Sequence, residues 1–376
     1  MQSHTINTSR VQSILLRLPN WLGDSVMVSP AFEWLKVSFP LAEFSIVGTR
    51  AGCGIYERDR RVKHIFIDET KQASSRILAT IKLAKTIGKH DLCITFSNTF
   101  FSALLLYFTK SPLRIGYARN ARSLFLTHAF KLKKYNAHGK KYHQVLLYLS
   151  LIAPLAQIQH AIKADLPSLS TQDEILSHLA TKQLSLISHR ISLQHDKPAI
   201  GINPGAAFGS AKRWEQEYFI EVISYFLSKE YAVYMFGTSA ESSANTDIAK
   251  AISTHVNAKY FYDLTDKTNI NELIDYIRAM SVFITNDSGP LHIATALHTP
   301  LVAIFGSTDI KETAPYTPTP QKHIILLYKA LSCSPCKKRE CPLKHHECMK
   351  SISPKEVITS TEKLLENQPK RLPDDN

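Results

Sequence analysis

Short apolar runs that alternate with stretches of helical spacing, twice over, constrain this chain more than any other feature. Runs at 13–18, 44–47, 62–67, 92–96 and 113–117 read as strands, with helices predicted over 25–39, 74–87 and 142–152. A Ser-, Gln- and His-rich stretch over 153–197 interrupts the pattern and reads as a linker region carrying one helix over 171–187. Strands then resume at 199–203, 232–236, 260–263, 282–285 and 301–305, separated by helices over 216–227, 240–252, 270–280 and 290–297. Such alternation predicts an α/β fold with parallel sheets. At 376 residues the chain exceeds the ~250–300 at which one core stops growing. Two Rossmann-like, doubly wound domains are therefore expected, at 1–190 and 191–376, the second ending in a Cys-rich loop and a terminal helix.

Open sheets of this kind bind ligands outside the carboxyl ends of their strands. Those ends carry Gly23-Asp24, Gly205, Gly237, Asp287-Ser288-Gly289 and Gly306, which predicts a ligand site in a cleft between the halves. Asp24 has two compatible readings, an N-cap acceptor for the helix that follows and a general base held in a fixed turn. Lys212 and Arg213 precede Trp214 after the turn Asn203-Pro204-Gly205-Ala206. Two cations before a helix oppose its dipole, so either an anion compensates them, a phosphate being the natural candidate, or they are a solvated pair. Asp287, Ser288 and Gly289 either cap the next helix or let a diphosphate approach its first N–H groups, with His292 one turn on. Glu241, after a strand end, suits a ribose hydroxyl or merely favours a helix start. Trp214 reads as core. Neither first turn carries Gly-x-Gly-x-x-Gly, which disfavours a nicotinamide oxidoreductase.

Charge is placed unevenly. Residues 1–160 hold 22 Lys/Arg against 8 Asp/Glu, and no acidic residue falls between Leu92 and Ala164, where ten basic ones do. Lys110, Arg114, Arg119, Arg122, Lys131, Lys133, Lys134, Lys140 and Lys141 belong to that stretch, whose field implies an anionic partner. A non-enzymatic binder of anionic polymers would account for this half, but not for the turns of the second. The polar start at 1–10 and the short run at 14–18 give no export signal, so a cytoplasmic location is expected. The longest apolar run, 100–108, is too short to span a bilayer and reads as a buried helix.

Cys53 and Cys93 sit in apolar surroundings and read as core, whereas Cys333, Cys336, Cys341 and Cys348 form a Cys-x2-Cys-x4-Cys-x6-Cys cluster with His345 and His346 inside it. In a cytosolic chain this favours metal over disulfide. The spacing is not that of a zinc ribbon, and reduced thiols in a surface loop remain the other reading.

Asn20-Trp21-Leu22-Gly23-Asp24, Asn203-Pro204-Gly205-Ala206 through Ala211-Lys212-Arg213-Trp214, Asn286 to His292, and Cys333 to Cys348 together resemble the ADP-heptose:lipopolysaccharide heptosyltransferases of glycosyltransferase family 9, most of all the heptosyltransferase II branch. The resemblance spans nearly the whole chain in order. It implies the GT-B fold, an acceptor-binding N-terminal domain, an ADP-heptose-binding C-terminal domain, and inverting transfer of a second heptose to the Kdo-lipid A inner core. By the same resemblance Asp24 is the catalytic base, Lys212 a phosphate contact and Glu241 a ribose contact, while Asp287, Ser288, Gly289 and His292 form the donor motif. No cofactor is implied for catalysis, and a structural metal, zinc or iron, is the expectation at the cysteines. The basic first half would suit an acceptor rich in carboxylates and phosphates and peripheral contact with the anionic cytoplasmic face of the inner membrane, with no nucleic acid as partner. Other nucleotide-sugars or acceptors would share every one of these motifs.

Overall fold

Each half of the chain folds its strands into one six-stranded parallel sheet. The computed structural model describes residues 5–367 apart from 133, 134, 136–138, 140, 167, 170, 194 and 196, so Lys133, Lys134 and Lys140 of the basic stretch lie outside the described residues. Two compact units divide the chain at Ile187/Ser188.

In the first unit β1 (Ser13–Arg17), β2 (Glu43–Gly48), β3 (Val62–Ile67), β4 (Leu92–Thr95), β5 (Leu113–Tyr117) and β6 (His128–Phe130) lie in the order β3-β2-β1-β4-β5-β6. Central β1 pairs with β2 and β4, placing Ile14 beside both Phe44 and Leu92. Its apolar run is unbroken because helices cover both faces, and Ile14, Leu15 and Leu16 are fully buried. Cys53 and Cys93 are buried as expected, Cys93 within a cluster with Leu15, Val47 and Leu105.

The second unit repeats the plan with β7 (Ala199–Asn203), β8 (Ala232–Met235), β9 (Phe261–Asp263), β10 (Val282–Asn286), β11 (Leu301–Phe305) and β12 (Ile324–Tyr328), in the order β12-β11-β10-β7-β8-β9. Gly201 in β7 leaves room for Phe283 of β10: a Cβ there would come within 2.5 Å of the ring. The terminal helix Pro354–Glu366 is closed at its start by a Ser353/Glu356 capping box and sends Val357 and Leu364 into the core. Among the described residues no helix is long and apolar enough to cross a membrane.

Three expectations need correction. The 153–197 stretch contains a second helix, Ala156–Asp165, held by Ile158 and Ile162 one turn apart, and the helix expected to reach 187 stops at Leu179. The helix Phe100–Phe108 is buried as expected through its middle, from Ser102 to Leu106, but leaves Phe100 and Tyr107 near its ends exposed. Arg122 does not belong to a surface field. It is fully buried and donates to the carbonyls of Tyr117 and Ser97 and to Asn98 Oδ1.

Candidate active site

In the second sheet the chain turns to opposite sides after β7 and β10, which are neighbours, so their following loops flank the crevice where such sheets bind ligands. β7 stops at Asn203-Pro204, since proline brings no N–H to extend the ladder. Two asparagines at the strand ends then tie the loops together. Asn203 Nδ2 donates to Gly205 O at 3.2 Å and reaches Ser288 Oγ at 3.5 Å. Asn286 Nδ2 donates to Pro204 O at 2.6 Å, and its Oδ1 accepts from the Trp214 N–H at 3.2 Å. Trp214 is core as expected, with its indole N–H on Ile352 O at 2.8 Å.

Between these ties Lys212 Nζ meets Asp287 Oδ2 at 2.6 Å. Asp287 is buried and Lys212 half-buried, its ammonium also lying 5.0 Å from the centroid of the Phe208 ring. The helix expected directly after Lys212 and Arg213 starts later. Lys212 closes the 3-10 turn Ser210–Lys212 and the helix begins only at Gln216, so the compensating charge is the chain's own Asp287. Ser288 caps the helix Gly289–Ala296 by position, making no side-chain cap bond, while His292 is buried one turn on.

Glu241 is buried. Its carboxylate accepts from Thr238 N–H and Thr238 Oγ, both at 2.9 Å, as the reciprocal half of a capping box. It also presses on the turn after β7, since a Cβ on Gly205 would come within 1.9 Å of Glu241 Oε1. A cavity of ≈ 320 Å³ opens beside them, lined among others by Pro204, Gly205, Arg213, Glu241, Asn245 and His346. That volume lies in the range of small-molecule sites.

In the first unit Asp24 is the third residue of the helix Leu22–Met27 and not its cap, a position held by Trp21. A carboxylate in a first turn is favoured by the helix dipole, and Tyr148 of the helix Gln144–Ile152 donates its phenol to Asp24 Oδ1 at 2.9 Å. Burial, with the Asp24 charge added, pushes the Tyr148 phenol well above its ordinary value, so it serves as a neutral donor. The turn leading to Asp24 is anchored by Arg17, buried at the end of β1, which pairs with Asp68 at 2.7 Å and donates to Asn20 Oδ1 at 3.0 Å. Burial alone would raise the Asp68 carboxyl, but the Arg17 charge and the Thr70 hydroxyl hold it below its ordinary value. Tyr148, Arg17 and Asp68 carry no local sequence signal, because each meets its partner through the sheet topology.

The four cysteines of the C-terminal cluster are free thiols that line one small pocket together with His345 and His346. Among the described residues no three His, Cys, Asp or Glu side chains are arranged to hold a metal as they stand.

The sequence model of Glycosyltransferase family 9 (heptosyltransferase) matches residues 80–347. The chain belongs to this family. Lipooligosaccharide heptosyltransferase 2 of Campylobacter jejuni is 33% identical over 94% of this chain and 98% of its own length. Lipopolysaccharide heptosyltransferase 2 of Escherichia coli is 26% identical over 94% and 98%. The solved structure of the E. coli ADP-heptose LPS heptosyltransferase II superposes with a TM-score of 0.74 at 23% identity, covering 94% of this chain and 98% of that one. As a family 9 heptosyltransferase with two parallel six-stranded sheets, the chain is a glycosyl-transferring enzyme of the GT-B fold.

Proposed function

We propose that this glycosyltransferase moves heptose from ADP-heptose, with inversion, to a heptosyl-Kdo2-lipid A acceptor, adding the second heptose of the inner core. The observation that carries the donor half is the convergence of the Lys212 and Asp287–Gly289 loops at the switch point of the second sheet. There Lys212 holds the diphosphate with the first N–H groups of the helix Gly289–Ala296, and Glu241 with its cavity takes the nucleoside. Asp287 holds Lys212 in place until the diphosphate competes for the ammonium, and His292, buried one turn into the same helix, completes the donor motif.

The first unit supplies the base. Asp24 takes the proton of the attacking acceptor hydroxyl as its oxygen bonds to the anomeric carbon, and the bond from that carbon to the diphosphate oxygen breaks on the opposite face. ADP leaves with the electron pair, its charge met by Lys212 and the backbone N–H groups. No cofactor is called for at the reacting atoms.

An amphipathic surface of the first unit supports contact with an anionic membrane. Leu124 is 87% exposed, and next to it the Phe125 ring lies 5.2 Å from that of exposed Phe100 and 5.5 Å from that of Tyr107, over which Arg114 sits at 5.6 Å. Apolar side chains flanked by cations suit the boundary between anionic headgroups and acyl chains. ADP release that depends on both ADP-heptose and heptosyl-Kdo2-lipid A tests the reaction itself.

A further inference from the structure

The cysteine loop is the chemistry-bearing motif that the transfer reaction leaves unused. Cys333, Cys336, Cys341 and Cys348 come from three short segments, yet all four line the same pocket. Around them the backbone adopts what thiolate–metal loops need. Lys337, directly after the Cys-x-x-Cys pair, and Lys344, after Cys341, are both left-handed, with φ of 57° and 59°. The peptide N–H groups of His346, Leu343, Lys344 and His345 turn back on the Cys341 sulfur. Cys348 lies on the other side, against the end of β11, where a Cβ on Gly306 would come within 3.0 Å of its sulfur.

Charge and redox context agree. Four thiolates around a divalent ion leave two net negative charges, and between Cys333 and Lys350 the chain carries five basic residues against two acidic ones. None of the four is in a disulfide. What the loop touches gives the site a use. Arg339 O accepts from the Ala211 N–H at 2.9 Å, and the Lys337 N–H donates to Ser307 O at 2.8 Å. A Cβ on Gly209 would come within 2.3 Å of Arg339 O, so the loop lies flat on the turn that carries Lys212.

We propose that Cys333, Cys336, Cys341 and Cys348 bind one thiophilic divalent cation, zinc or ferrous iron, which draws the four sulfurs together and clamps the 333–348 loop onto the Gly209–Lys212 turn. The cation is structural: its four thiolates fill a tetrahedral shell and leave no position for substrate. Metal binding stands independently of the proposed reaction, and only the benefit to the donor site rests on it.

The test takes the full chain purified under reducing conditions without chelator. Elemental analysis is expected to find one zinc or iron per chain, and Co²⁺ added to metal-free protein is expected to give the visible and near-ultraviolet bands of tetrahedral thiolate ligation. Cys333→Ser with Cys336→Ser should lose the metal, whereas Cys53→Ser with Cys93→Ser should keep it. Because the first pair of changes can also impair folding, metal is separately stripped from the unaltered chain with a thiol-reactive mercurial and a chelator. Hydrogen exchange of the Ala211 amide should then speed up many-fold while Ile200 in β7 stays protected. Four freely titrating thiols that Zn²⁺, Fe²⁺ and Co²⁺ leave reactive would overturn the site, as would disulfides in the fresh protein. Metal bound with unchanged Ala211 exchange would overturn the clamp.

Discussion

Lys212 Nζ and Asp287 Oδ2, 75 positions apart in the chain, lie 2.6 Å from each other and join the loops that follow two neighbouring strands. Removing the cation leaves a buried carboxylate without a partner. Lys212→Ala is expected to cost up to about 3 kcal/mol of stability and to weaken ADP by ~10-fold or more, the worth of one charge-assisted hydrogen bond. Denaturant melts and calorimetry measure the two effects. Equal ADP affinity would take the diphosphate away from Lys212.

Asp24 answers to a different pair of substitutions. Asp24→Asn should cut turnover by ~10²–10⁴-fold, the usual contribution of a positioned base, with ADP-heptose affinity nearly unchanged. Tyr148→Phe removes the phenol that donates to Asp24 Oδ1 and with it some stabilisation of the charged carboxylate. The acid limb of its pH–rate profile should therefore move to higher pH, with turnover at the optimum only mildly affected. A profile that superposes on that of the unaltered enzyme would remove Tyr148 from the positioning of the base.

Much of this arrangement was legible in the sequence, because strand ends in a doubly wound sheet are where function collects. Asp24, Lys212 and Asp287 each follow a buried apolar run, which stands out by its lack of alternation. Long-range partners were not legible. Tyr148 reaches Asp24 across 124 positions, and nothing local in its apolar helix marks it. β12 carries little sequence signal because every residue of this edge strand is only half-buried, and no helical pattern follows it closely. The helix Ala156–Asp165 was hidden by a polar composition that shows only Ile158 and Ile162 to the core.

Acid stability should report the Arg17–Asp68 pair. The folded Asp68 carboxyl lies below its ordinary value, so its contribution is fully present above the unfolded carboxylate value, ~3.9, and is lost as pH falls through the folded one. Asp68→Asn leaves Arg17 buried and uncompensated, a loss of about 3 kcal/mol near neutrality, and should flatten the acid-side fall in melting temperature. An unchanged slope would show that the pair does not govern acid unfolding.

Membrane contact is tested by sedimentation with vesicles. Phosphatidylglycerol vesicles should carry the enzyme down and phosphatidylcholine vesicles should not, with binding weakened as salt rises. Leu124→Glu, at a side chain that is already 87% exposed, should reduce binding without lowering the melting temperature. Equal binding by both proteins would place the membrane contact elsewhere.

The most direct test of the account is a coupled assay of ADP release with ADP-heptose as donor and either heptosyl-Kdo2-lipid A or Kdo2-lipid A as acceptor. ADP is expected in step with one added heptose on the heptosylated acceptor, and little with the acceptor that lacks the first heptose. Release that is independent of acceptor, or equal with both, would contradict it.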